Sequence, residues 1–98
     1  MGSVANIERY VVESVTSHGS VPTHAELTAK FGFSEIDRPE FASQRATLER
    51  LWGLNTVQLK KFFDKIARSD PKPKDIQGLM YLVAQTELED AMDGLRKA

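Results

Sequence analysis

The chain has no cysteine, which excludes disulfides, thiolate zinc sites and cysteine nucleophiles. It also has no apolar run near the ~20 residues that span a bilayer, so no membrane partner is expected. No basic segment followed by an apolar one opens the chain, so no secretory signal is expected and the cytoplasm is the default location. Neither charge sign dominates: 13 Lys+Arg stand against 14 Asp+Glu, for a net charge of -1. A general polyanion binder is usually strongly basic, and this chain is not. A glycine-rich phosphate loop and a nucleophile elbow are missing too. The only histidines, His18 and His24, flank one loop without a metal-ligand set, and His24 is expected on a solvated helix face. Glu87 with Asp90 or Asp93 are helix-surface neighbours, with no apolar pocket to raise a carboxyl pKa. The expectation is a non-enzyme that needs no cofactor.

What is present fits one small globular domain spanning 1–98. The 98 residues are 41% hydrophobic and 28% charged, ordinary values for a soluble fold. A domain this size buries somewhat over ~60% of its unfolded surface, enough for one core and no deep cleft. Met1-Gly2-Ser3 reads as a cloning remnant and is left out of the fold.

The apolar spacing is helical almost throughout. Val4, Ile7, Val11 and Val15 predict a helix over 4–17, although its valines leave a strand open as the alternative. Gly19 suits the left-handed position that ends it. Thr23 and Glu26 form a capping-box pair opening a second helix, with Leu27 and Phe31 inward. Gly32 ends that helix, with Phe33 placed to fold back on it. Pro39 suits the start of a third helix whose buried face is Phe41, Leu48, Leu51 and Trp52. Asn55 or Thr56 caps a fourth, with Leu59, Phe62, Phe63 and Ile66 inward. The prolines of 69–74 impose a loop. A last helix over 75–97 carries Ile76, Leu79, Met80 and Val83 on one stripe and Tyr81, Leu88 and Leu95 at heptad spacing on another face. The fold class is all-α: a bundle of about five helices with a helix-turn-helix-like N-terminal part and a long C-terminal helix. The expected core includes Ile7, Val11, Leu27, Phe31, Leu48, Leu51, Phe62, Ile66, Leu79 and Val83.

Pro22-Thr23-His24-Ala25-Glu26-Leu27 followed by Phe31-Gly32-Phe33-Ser34 resembles the helix-turn-helix of LexA-type winged-helix repressors, and more loosely that of GntR-type regulators. The resemblance covers about residues 7–34, and it implies DNA binding by a recognition helix after Gly32. The sequence departs from that pattern at once. Arg38 stands where an inward aliphatic residue belongs, and Pro39 would break the helix. Glu35, Asp37 and Glu40 would face phosphates, and no β-hairpin wing follows Gly53. An insertion would restore the geometry by making 42–51 the recognition helix, with Gln44, Arg45, Thr47 and Arg50 available and Lys60, Lys61 and Lys65 as phosphate contacts. The plain alternative is a helical hairpin that binds no nucleic acid.

Charge is segregated along the chain. Residues 60–74 carry +4, the residues before them -2 and those after them -3. Such a basic segment steers toward an anionic partner or simply forms a solvated helix face. The final helix is acidic on one side through Glu87, Glu89, Asp90 and Asp93. Its Tyr81, Leu88, Met92 and Leu95 either complete the core or dock a protein partner or a second copy. Two functions therefore follow. One is a small regulatory or adaptor protein on a helix-turn-helix-like scaffold, with duplex DNA as first ligand. The other is a protein-interaction module acting through the last helix, of the kind small phage or plasmid genes encode as assembly chaperones, adaptors or inhibitors.

Overall fold

The computed structural model describes residues 3–97, and the side chains of 4–96. Met1 and Gly2 of the suspected remnant lie outside the described residues, and Ser3 is already helical. Six helices follow one another: α1 (Ser3–His18), α2 (His24–Phe31), α3 (Phe33–Ile36), α4 (Ala42–Trp52), α5 (Thr56–Arg68) and α6 (Ile76–Lys97). There is no strand among the described residues, so the valine-rich first segment is helix and the fold is all-α.

Local chemistry explains each boundary. Gly19 takes φ 63° at the end of α1, and the Ser20 amide donates back to the Ser14 carbonyl at 3.1 Å. The Thr23 hydroxyl accepts from the Glu26 amide at 3.1 Å, which holds one otherwise unpaired donor of α2. The reciprocal half of the capping box differs from expectation. The Glu26 carboxylate accepts from the Thr23 hydroxyl at 3.4 Å. The full box forms instead at α5, where Asn55 and Gln58 bond each other's backbone amides at 2.8 and 3.0 Å.

The corner after α2 departs further from expectation. Gly32 has φ 95°, a backbone state closed to most side chains, and the chain turns outward there. Phe33 consequently opens the four-residue α3 with 64% of its surface exposed, rather than folding back on α2. Ile36, one turn later, takes the buried position. Arg38 is extended, as the residue before a proline must be. Pro39–Phe41 then form a single 3-10 turn, so the α-helix expected from Pro39 begins at Ala42.

The core joins all six helices, α3 contributing Ile36. Ile7, Val11, Val15, Leu27, Ile36, Phe41, Leu48, Leu51, Phe62, Ile66, Ile76, Leu79 and Val83 are all buried. Phe31 is the expected core residue that does not sink fully. It packs partly buried against the cluster, edge-on to Tyr10 at 5.7 Å. Trp52, expected in the core, is half-buried because its indole N–H reaches out to the Pro22 carbonyl at 2.9 Å. Through that bond α4 holds the loop that precedes α2. The long α6 packs chiefly on α4 and α5. Its start is closed from a distance: the Glu8 carboxylate accepts from the Ile76 amide at 3.1 Å, and Asp75 accepts from Gly78 at 2.8 Å.

Candidate interaction surface on the last helix

The residues expected to read DNA are held by the protein itself. The Arg45 guanidinium turns back from α4 to the carbonyls of Ile36 at 2.9 Å and Arg38 at 3.4 Å. It therefore braces the corner between α3 and α4, where carbonyls at a helix end need partners. Arg50 bonds the Glu87 carboxylate on α6 and contacts the Met80 sulfur at 3.4 Å. Thr47, expected to be available for contact, is 5% exposed, and its hydroxyl donates to the Ser43 carbonyl at 3.4 Å. Its burial follows from facing the core one turn before Leu51. Gln44 is half-buried and accepts from the Ser43 hydroxyl at 3.2 Å.

The basic segment meets a similar fate. Lys61 of α5 donates to Asp93 at 3.0 Å and stands 3.8 Å from Asp90, while Lys65 pairs with Glu89. Gln58 donates to Asp90 at 2.9 Å. Lys72 closes the end of α5 on the Ile66 and Ala67 carbonyls, both at 2.7 Å. Lys60 is exposed and makes no ion pair among the described residues. Two lysines of the +4 segment thus face carboxylates of the -3 segment inside one molecule, while Arg68 pairs with Asp64 within its own helix. Each half-exposed pair is worth only about 0–1 kcal/mol. Their larger consequence is cancellation: the field that would steer an anionic partner is met by carboxylates of α6.

Lys61 gives this pairing a pH signature. Its hydrogen bond to Asp93 and the charges of Asp93, Asp90 and Glu89 raise its pKa above 10.5, against a partial desolvation that lowers it. A lysine whose folded pKa is raised contributes stability fully below the unfolded value, and the contribution fades as pH rises through the folded value. The stability difference between the wild type and Lys61→Met is expected to be constant up to about pH 10 and to vanish above it. Urea unfolding at stepped alkaline pH checks this. A difference that grows with pH would show that Asp93 does not hold Lys61.

The pairing agrees with the way the buried stripe orients α6. Its carboxylates turn toward α4 and α5, while Ile76, Leu79, Val83 and Thr86 are buried. The opposite side is therefore left outward. There Tyr81, Leu88, Met92 and Leu95 expose 66%, 63%, 47% and 77% of their surfaces. The stripe that the heptad spacing suggested is surface, not core. Ala84 and Ala91 are exposed between its large residues, Gln77 stands at its start, and half-buried Gln85 lies along one edge. At 100° per residue these eight positions share an arc of about 120°, and from 77 to 95 they run about 27 Å. None of them is charged, although Glu87, Glu89, Asp90, Asp93, Arg96 and Lys97 belong to the same helix.

Gln77 and Gln85 escaped the sequence reading because a polar residue carries no apolar period. Only the orientation of α6 reveals them as part of the face. His24 is exposed as expected, yet its ring stands edge-on to Trp52 at 5.7 Å and to Phe33 at 6.5 Å. Among the described residues no three His, Asp or Glu are grouped to hold a metal ion, and no helix is long and apolar enough to cross a membrane. The chain matches no protein-family model, no curated protein and no solved structure, so its function is read from this geometry.

Proposed function

We propose that the protein is a small non-enzymatic adaptor of the cytoplasm that acts by stoichiometric protein binding through the outward face of α6. One observation carries the reading: an uncharged, largely apolar arc runs for about 27 Å along a helix whose carboxylates from Glu87 to Asp93 pair with α4 and α5. An exposed apolar patch with a polar rim is the usual mark of a protein contact. Spacing of i, i+3 and i+7 along one helix suits an apolar-faced helix as the partner. The basic side chains of α4 and α5 favour this reading over duplex DNA, because Arg45, Arg50, Lys61 and Lys65 already have partners.

A photo-crosslinking phenylalanine analogue placed at position 88, in cells that make the protein, tests the reading. Protein adducts are expected from position 88 and not from position 13, which is exposed on α1. The absence of adducts at 88 would remove the adaptor reading. A mobility shift with duplex DNA at low salt addresses the other function. A shift that weakens steeply with salt and with Lys60→Ala would move the assignment to nucleic acid.

A further inference from the structure

We infer that the partner of the α6 face is a second copy of this chain, docked antiparallel along the same face. The inference rests on the adaptor reading and names its occupant. From Tyr81 to Leu95 large and small residues alternate along the arc: Gln77, Tyr81, Ala84, Leu88, Ala91 and Leu95 fall at spacings of four, three, four, three and four. That is the a/d spacing of a two-helix seam. Turned about a two-fold axis beside position 86, the face meets itself with Leu88 over Ala84 of the second copy, Tyr81 over Ala91 and Leu95 over Gln77. Tyr81 and Leu88 then each lie against an alanine, which allows close helix packing at the centre of the seam, with Leu95 over Gln77 at its ends.

The parallel arrangement does less well. In register it stacks Tyr81 on Tyr81, Leu88 on Leu88 and Ala84 on Ala84, so thick and thin layers alternate and the alanine layers stay open. It also aligns the two helix dipoles, whereas the antiparallel pair sets opposite ends side by side.

Electrostatics permit the approach. Two helices that each carry Glu87, Glu89, Asp90 and Asp93 would repel if those charges were bare. Here Arg50 holds Glu87, Lys65 holds Glu89, and Lys61 holds Asp93 beside Asp90. Each copy brings its own counter-charges, and the seam between the copies is free of ionised groups. A helix pair of this length buries on the order of 1,000 Å² in total, the lower limit for a specific interface. An interface at that limit fits a weak, concentration-dependent dimer.

Sedimentation equilibrium from low to high micromolar concentration reads the association, and the absence of cysteine allows the register to be read directly. The wild type is expected to pass from monomer to dimer over that range. Leu88→Asp is expected to weaken dimerisation at least tenfold with an unchanged helical circular dichroism spectrum, since Leu88 touches no core. Under mild oxidation, an equimolar mixture of Gln77→Cys and Leu95→Cys proteins is expected to form mixed disulfide dimers. Gln77→Cys alone is expected to remain monomeric on a non-reducing gel. Efficient cross-linking of Gln77→Cys to itself would overturn the antiparallel pairing. A wild type that stays monomeric throughout would overturn self-association. In that case, adducts from position 88 to a different protein would leave the adaptor reading standing, and no adducts at all would remove both.

Discussion

Phe62→Ala is expected to destabilise the protein by about 3–5 kcal/mol, the largest effect of any single truncation considered for this fold. Phe62 is wholly buried on α5, and its ring stands edge-on to Phe63 at 5.4 Å. Truncation removes the transfer energy of the ring and leaves a cavity between helices that cannot close completely. A domain of this size has only about 5–15 kcal/mol in total. The variant therefore sits near the folding threshold, with a melting temperature lowered by on the order of 20 °C. Phe33→Ala is the matched comparison: the same residue type lies mostly exposed at the corner after α2. It is expected to cost under about 1 kcal/mol. Thermal melts of both variants decide the matter, and equal losses would mean that the core is not where the fold places it.

The second large effect is expected at Arg45. Replacing it with methionine keeps the length of the side chain and removes the guanidinium that holds the Ile36 and Arg38 carbonyls. Hydrogen bonds from a charged donor contribute about 1.5–3 kcal/mol, and the carbonyls left behind are partly shielded from water. Arg45→Met is thus expected to cost about 1–3 kcal/mol in urea unfolding. Gln44→Met, one residue away, is expected to cost almost nothing, because Gln44 bonds only the hydroxyl of its neighbour. A residue kept for reading bases would behave otherwise, and its removal would leave stability untouched. Loss of stability at Arg45 alone identifies it as a brace of the corner.

Much of this architecture is legible before any coordinates. The spacing of Ile7, Val11 and Val15, the Thr23 cap and the prolines of the 69–74 loop announce helices close to where they occur. Those signals are local, carried by periods of three and four residues and by residues that can or cannot hold a given backbone state. The corner from Gly32 to Phe41 is less legible, because Phe33 and Ile36 compete there for one buried position while Phe41 fills another. Ile36 occupies it rather than Phe33, and that outcome depends on the direction in which Gly32 turns the chain. The interaction surface divides in the same way. Heptad spacing picks out Tyr81, Leu88 and Leu95, but whether they face inward depends on how α6 is rotated. That rotation follows from burying Ile76, Leu79 and Val83 on the other helices, with ion pairs 24 to 37 positions apart in agreement with it. The basic and acidic segments are visible as separate blocks, and only the fold shows that Lys61 and Lys65 of the one meet Asp93 and Glu89 of the other.

The bond between Glu8 and the amide of Ile76 joins positions 68 apart, and it bears on the order in which the molecule can be made. Synthesis delivers α6 last of the six helices. Until it emerges, the sides of α4 and α5 that it covers stay wet, and the carboxylate of Glu8 waits without the amide it accepts from. A nascent chain ending before Ile76 therefore carries the first five helices with their largest shared surface uncovered. Completion of α6 then closes the globule in one late step and presents the outward face of that helix at the same moment. The surface proposed for binding exists only on molecules that have finished folding.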